Sequence, residues 1–212
     1  MEFPCIKYYS QINQDKNYLT YTNNKKNGYF VDIGASDGKC FSNTLTLEES
    51  YHWDGLLLEP NIVPYEVCKK TRRNKTLQLA VYNKNGEIEF YSPANNLMGG
   101  VKSDLNPVII DIYQKEGYGW KGFNVPCKTL YTILEENNAP HLIDYMSLDT
   151  EGSEFEILEC FFKENNNKYT ISYLDIEHNF IQENKKKIND VLIKNGYKFL
   201  QDNSFDFTYI KN

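Results

Sequence analysis

The chain has 212 residues, 41% of them hydrophobic, with 17 Tyr, 12 Phe and a formal net charge of −6. That apolar content is enough for one domain with its own core and excludes a disordered chain. The scattered basic residues disfavour a polyanion-binding surface, and no apolar run approaches the roughly 18 residues of a membrane span.

Residues 1–27 lack the basic-then-apolar pattern of a secretory signal. Five cysteines (Cys5, Cys40, Cys68, Cys127 and Cys160) form no CxxC pair and read as free thiols of a reducing, cytoplasmic compartment. Tyr29 to Ile33 is the first predicted strand, and it runs into the turn Gly34-Ala35-Ser36-Asp37-Gly38. A helix follows, with Ser42 or Asn43 as its cap. Gly55 to Glu59 is an apolar run that ends in an acid. Leu77 to Tyr82 and Glu87 to Tyr91 flank Asn83-Lys84-Asn85-Gly86, a hairpin signal. Residues 92–124 are rich in Gly, Asn and Pro and predict an irregular insertion of a length that is often functional. Asp144 to Asp149 and Ile171 to Glu177 are two further strands that end in acids. Between them Phe155, Leu158, Phe161 and Phe162 fall on one helical face. Ile188, Val191 and Leu192 do likewise, ahead of a helix stop at Gly196. Tyr197 to Leu200 and Phe207 to Ile210 close the chain as an antiparallel pair. No repeat or linker divides residues 1–212, so the pattern predicts a single α/β domain.

The acids at strand ends carry the chemistry. In an open parallel sheet, ligands bind outside the carboxyl ends of the strands. Asp32, Glu59, Asp149 and Glu177 would gather there, where carboxylates are costly unless a ligand or partner uses them. Asp32-x-Gly34-x-x-x-Gly38 is a tight turn of the wrong spacing for a dinucleotide fingerprint. An acid ahead of the glycine suits a cationic ligand, such as a sulfonium with its amino group. Glu59 follows the next strand, where an acid can accept hydrogen bonds from both hydroxyls of a ribose.

Read in order, Ser10-Gln11, Gln14-Asp15-Lys16, Gly28 to Gly38, Phe41-Ser42-Asn43-Thr44, Gly55 to Asn61, and Ser147-Leu148-Asp149-Thr150-Glu151-Gly152-Ser153-Glu154 resemble the FkbM family of methyltransferases. Asp175 to His178 and Gly196-Tyr197 also fit, so the resemblance spans nearly the whole chain. It implies a Rossmann-like class I methyltransferase sandwich: a mostly parallel seven-stranded sheet with an antiparallel last strand, plus a small hairpin or insertion. It also implies S-adenosylmethionine as cofactor and O-methylation, largely of sugar or small-molecule hydroxyls. Carried onto this sequence, Asp32, Gly34, Ala35 and Gly38 would cradle the methionine end of the cofactor. Ser42 and Asn43 would hold its carboxylate at a helix start. Glu59 would hold the ribose, with Asn61, Ala80 and Val81 flanking the adenine. Gln11 and Lys16 would lie in an N-terminal segment, residues 1–27, that covers the cofactor.

An alcohol is a poor nucleophile without a base or a metal. Asp149 and Glu177, with His178, are expected to form either a divalent-cation site (Mg or Mn) or a metal-free base cluster. Asp149, Glu151 and His178 are the candidate catalytic residues, ahead of His52 and His141. Tyr113, Tyr118, Trp120 and Phe123 either stack on an acceptor or pack among themselves. A capped-RNA ribose as acceptor and a non-catalytic cofactor-binding subunit are the alternatives. A dehydrogenase would need a dinucleotide turn that the chain lacks. The sequence is silent on a homodimer.

Overall fold

The computed structural model describes residues 6–94, 98–179 and 181–212; Cys5 lies outside them. Strand β1 (Tyr29–Ile33) is buried on both faces, as are β2 (Asp54–Leu58) and β8 (Leu142–Leu148) except at their first residues. Such continuous apolar runs are what a parallel sheet covered by helices on both sides requires. The main sheet has seven strands in the order β10-β11-β9-β8-β1-β2-β3. It also comprises β3 (Lys75–Leu77), β9 (Thr170–Glu177), β10 (Tyr197–Asn203) and β11 (Asp206–Lys211). Neighbouring strands from β9 to β3 are parallel, while β11 runs antiparallel to both β9 and β10. This is the expected methyltransferase sheet, with the last strand reversed.

Strand alternation divides the core into two faces. Val31, Ile33, Leu56, Leu58, Met146, Leu148, Leu174 and Ile176 pack on one side, under α5 (Leu130–Glu136), α6 (Glu154–Glu164) and α7 (Gln182–Lys194). Phe30, Leu57, Tyr145 and Tyr173 pack on the other, with α1 (Gln14–Tyr21), α2 (Leu45–Tyr51) and α3 (Ile62–Thr71). The helical faces predicted from periodicity form in part. In α6, Leu158 and Phe161 are buried beside Ile157, but Phe155 and Phe162 only partly; in α7, Ile188 and Leu192 are buried. Gly196 has φ +78 directly beyond α7, the left-handed residue that ends a helix.

Residues 77–93 differ from expectation. The predicted strand from Leu77 to Tyr82 breaks into β3, which pairs with β2, and β4 (Ala80–Val81), which joins a second sheet. That sheet has the order β4-β7-β5-β6, from β5 (Gly86–Pro93), β6 (Gly100–Val101) and β7 (Trp120–Lys128). The predicted β4–β5 hairpin does not form, because β7 lies between them: Cys127 is opposite both Ala80 and Gly86. The insertion at 92–124 is correspondingly more regular than its Gly and Pro content suggested. It contains β6, α4 (Pro107–Lys115) and most of β7. Asn106 starts α4 by accepting the Val108 N–H at 2.9 Å, with Pro107 at the first helical position.

Candidate active site

The register of the main sheet builds the site in two rows. On the α1–α2 face, Asp32 lies opposite Ser147, Ser147 opposite Asp175, and Asp175 opposite Thr208. This polar row crosses four strands. One step nearer the carboxyl ends lies a second row of acids: Asp149 beyond β8, then Glu177 at the end of β9 opposite Asp206. Two adjoining cavities, of about 110 and 380 Å³, open above these rows.

The first cavity is framed by Gly34, Glu59, Asn61, Leu79, Ala80 and Val81. Glu59 is buried, and its two carboxylate oxygens accept the backbone N–H groups of Ser36 (2.9 Å) and Asn61 (2.8 Å). Burial pushes its pKa up to about 7 against those bonds. Asn61 caps α3 by accepting the Val63 N–H and donates through Nδ2 to Ser92 Oγ at 3.1 Å. Gly34 must be glycine: φ is +85 and a Cβ would stand 1.8 Å from the Asp149 carbonyl oxygen. Gly34→Ala is therefore expected to separate the ends of β1 and β8 and lower both stability and cofactor affinity. A denaturant midpoint unchanged from wild type would refute this.

The second cavity is lined by Gln11, Gln14, Asp32, Ala35, Ser42, Asn43, Asp149, Glu151, Glu177 and Asp206, among others. Asp32 is buried and accepts from Thr44 Oγ1 at 2.5 Å; burial is the main cause that raises its pKa. Behind it sits Arg72, a residue the sequence did not single out. Its buried guanidinium donates to Glu48 Oε2, Gly38 O, Ser42 Oγ and Thr44 Oγ1 at 2.9–3.2 Å and lies 4.0 Å from Asp32 Oδ2. One side chain thus holds the glycine turn, the start of α2 and Asp32 together. The expected helix cap shifts accordingly. Thr44 is the N-cap residue of α2, while Ser42 Oγ accepts the Leu45 N–H at 3.1 Å. Asn43 Nδ2 donates to Ser147 Oγ at 2.9 Å.

At the far end, ligand oxygens of Asp149, Glu151 and Glu177 lie within 4.8 Å of one another. Asp149 faces the open cavity within hydrogen-bonding reach of Glu177. Burial and the mutual repulsion of carboxylates hold Asp149, Glu151 and Glu177 well above the usual range. Asn179, also unforeseen, donates through Nδ2 to Glu151 Oε2 (3.2 Å) and Glu177 Oε2 (3.0 Å). Glu154 is not part of the cluster. It is buried and accepts from Thr150 N, Thr150 Oγ1 and Gly152 N, closing the turn before α6.

Three predicted site residues lie elsewhere: Gly38 lines neither cavity and turns toward Cys68 and Arg72 instead. His178 does not join Asp149 and Glu177, because consecutive strand residues face opposite sides of a sheet. Glu177 faces the cavity; His178, 1% exposed, packs edge-on to Phe207 at 4.4 Å with Asp202 Oδ1 3.5 Å from Nε2. It lies apart from the cavity, where the carboxylates that come together are Asp149, Glu151 and Glu177. Lys16 also faces away, with its ammonium over the Tyr8 ring. On α1 the inward positions are Gln14 and Tyr18, one turn apart, and Lys16 lies on the opposite side. Gln14 takes its place, donating to Asp206 Oδ2 at 2.7 Å in the cavity wall, with Gln11 at the rim. Tyr113, Tyr118 and Trp120 pack on one another, and only Tyr113 of these also lines the cavity. His52 and His141 line neither cavity. Cys40, Cys68, Cys127 and Cys160 are free thiols.

Burial gives the fold an unusual proton balance. Glu59 and Asp175 have pKa values pushed up to about 7, and Asp206 to about 6. Each binds its proton more tightly folded than unfolded, where carboxylates titrate near 4. Their contribution to stability is complete below about pH 4 and is lost as the pH rises through about 6 to 7. The thermal midpoint of the ligand-free protein is expected to fall between pH 5 and pH 8. A midpoint that rises over this range would contradict the protonated state of these acids.

A seven-stranded sheet with one reversed strand, a glycine turn after β1 and an acid after β2 define a Rossmann-like fold of the class I methyltransferase type. The sequence profile of the Methyltransferase FkbM domain matches residues 32–199, and the chain belongs to that family. No curated protein sequence matches the chain. Among solved structures it is similar to a methyltransferase FkbM from Methylobacillus flagellatus KT (14% identity, TM-score 0.49), over 87% of this chain and 43% of that one. It thus spans less than half the length of that relative. It is also similar to the METTL16 methyltransferase domain (10% identity, TM-score 0.54, 99% of this chain and 71% of that one). A third likeness is to TrmK of M. capricolum in complex with S-adenosylhomocysteine (13% identity, TM-score 0.41, 92% and 66%). At these identities the likeness concerns the fold alone. No helix among the described residues is long and apolar enough to cross a membrane.

Proposed function

We propose that the chain is an O-methyltransferase that acts on a hydroxyl of a sugar, in a glycan or a small molecule. The observation that carries this is the carboxylate cluster at the junction of the two cavities. Bound S-adenosylmethionine supplies an electrophilic methyl group on a sulfonium. In this reading the residues divide the cavity. Glu59 accepts hydrogen bonds from the ribose, Asn61 and Ala80-Val81 flank the adenine, and Asp32, Gly34, Ala35, Ser42 and Asn43 surround the methionine end, with Gly38 closing the turn behind them. Residues 1–27 cover that end through Gln11 and Gln14, and the segment from 92 to 124 walls the acceptor side through Tyr113. The whole forms a single domain.

The acceptor hydroxyl sits against Asp149. Asp149 would hold the hydroxyl oxygen toward the methyl group that the bound cofactor supplies. The hydroxyl proton passes to the Asp149–Glu177 pair, whose raised pKa values suit a base near neutrality. Alignment and exclusion of water supply the rest of the barrier reduction. The same three carboxylates offer the oxygen ligands that Mg²⁺ or Mn²⁺ prefers, which favours a second reading in which a cation lowers the hydroxyl pKa. Transfer of tritium from methyl-labelled S-adenosylmethionine tests both. The account expects an alkali-stable methyl ether on a sugar. Label in a base-labile ester or on nitrogen would refute O-methylation of a hydroxyl, and full activity in a chelator would eliminate the cation.

A further inference from the structure

We infer that the acceptor is an uncharged glycoside, methylated after its sugar has left any phosphate or nucleotide carrier. This rests on the sugar-hydroxyl reading above and narrows it. The larger cavity is lined by six carboxylate residues: Asp32, Asp37, Asp149, Glu151, Glu177 and Asp206. Among the described residues neither cavity is lined by a lysine, arginine or histidine. Positions 1–5, 95–97 and 180, outside the described residues, hold no lysine, arginine or histidine. Arg72 lies behind Asp32 with its donors committed to Glu48, Gly38, Ser42 and Thr44, so it offers nothing to the cavity. Phosphates are held by arginine forks, lysines or free N–H groups at helix starts. None of these lines the acceptor side among the described residues, so a phosphate there would give up its water with no cation to replace it.

A second, independent feature says what the cavity suits. Its rim carries aromatic rings. Phe41 is 61% exposed and held by a backbone φ of +57, and Tyr113 of α4 and Phe205 complete the wall. Carboxylate oxygens at the floor accept from hydroxyl groups, while ring faces take up the apolar C–H face of a pyranose. A neutral polyol satisfies both; a sugar nucleotide or an RNA backbone satisfies only one and brings two or more negative charges that no cation of the described lining meets. The class of reaction that supplies the acceptor is then glycosyl transfer, with methylation following it.

The test uses the intact chain and matched acceptors. Label transfer is measured on methyl glycosides of hexoses and 6-deoxyhexoses, on the same sugars as 1-phosphates and nucleotide diphosphates, and on capped RNA. Each is run with Mg²⁺ and with a chelator. Binding of S-adenosylhomocysteine is measured by calorimetry on the same preparation. A glycoside preferred by at least about a hundredfold in kcat/KM supports the inference. A phosphorylated sugar or RNA used as well as the glycoside, with or without Mg²⁺, overturns it. Binding of S-adenosylhomocysteine with no glycoside labelled overturns it too, while leaving the methyltransferase intact. Absence of that binding instead strikes the cofactor assignment on which the inference rests.

Discussion

Asp149→Asn is expected to reduce kcat by at least about 10²-fold, the usual contribution of a positioned base, while S-adenosylhomocysteine binds within about threefold of wild type. The substitution keeps the side chain's shape and the backbone bond from Asp149 N to Ile33 O at 3.0 Å. It removes the group best placed to take the acceptor proton. It also changes the pH profile. In the wild type, burial and neighbouring acids hold Asp149 and Glu177 well above the ordinary carboxylate range. Activity should therefore fall on the acid side near neutrality rather than near pH 4, because the base works only when deprotonated. The residual activity of the variant should lack that limb. Steady-state kinetics from pH 5 to 9 check both statements, and a variant with wild-type kcat would remove Asp149 from the chemistry.

Arg72→Ala is expected to have the largest effect on the fold of the cofactor site. Breaking a buried, hydrogen-bonded ion pair by removing one partner costs about 3–5 kcal/mol. Here the loss leaves Glu48 and Asp32 buried without their cation and frees the Gly38 carbonyl and Ser42. Denaturant unfolding should show the loss directly, and cofactor affinity should fall with it. Arg72→Lys keeps the charge but not the fork, so it should recover only part of the stability. A midpoint for Arg72→Ala within error of wild type would show that the turn is held by something else.

The parts of this site that could be read in the sequence are local. Asp32, Gly34, Gly38 and Glu59 each sit at the end of an apolar run, and a strand end in a parallel sheet is where a ligand binds. The parts that could not be read depend on parity or on distance. His178 and Glu177 are neighbours in sequence, but a one-residue step in a strand reverses the side, so the pair could not both reach the cavity. Lys16 and Gln14 make the same point on a helix, two residues apart. Arg72 ends a run of Lys69-Lys70-Thr71-Arg72-Arg73 that looks like a solvated helix end. Its partners lie 24 to 34 residues away, so only folding reveals it. The missing β4–β5 hairpin has the same origin. The turn Asn83 to Gly86 is present, but β7, from 40 residues on, pairs with both flanking strands.

The proposed site has a cofactor side at Glu59 and an acceptor side at Asp149, and a single comparison tests that division most directly. Calorimetric titration of S-adenosylhomocysteine into wild type, Glu59→Ala and Asp149→Asn should give one site per chain in the wild type, binding lost or weakened at least tenfold in Glu59→Ala, and near-wild-type affinity in Asp149→Asn. Intact binding in Glu59→Ala, or binding lost in Asp149→Asn while the protein stays folded, would contradict it.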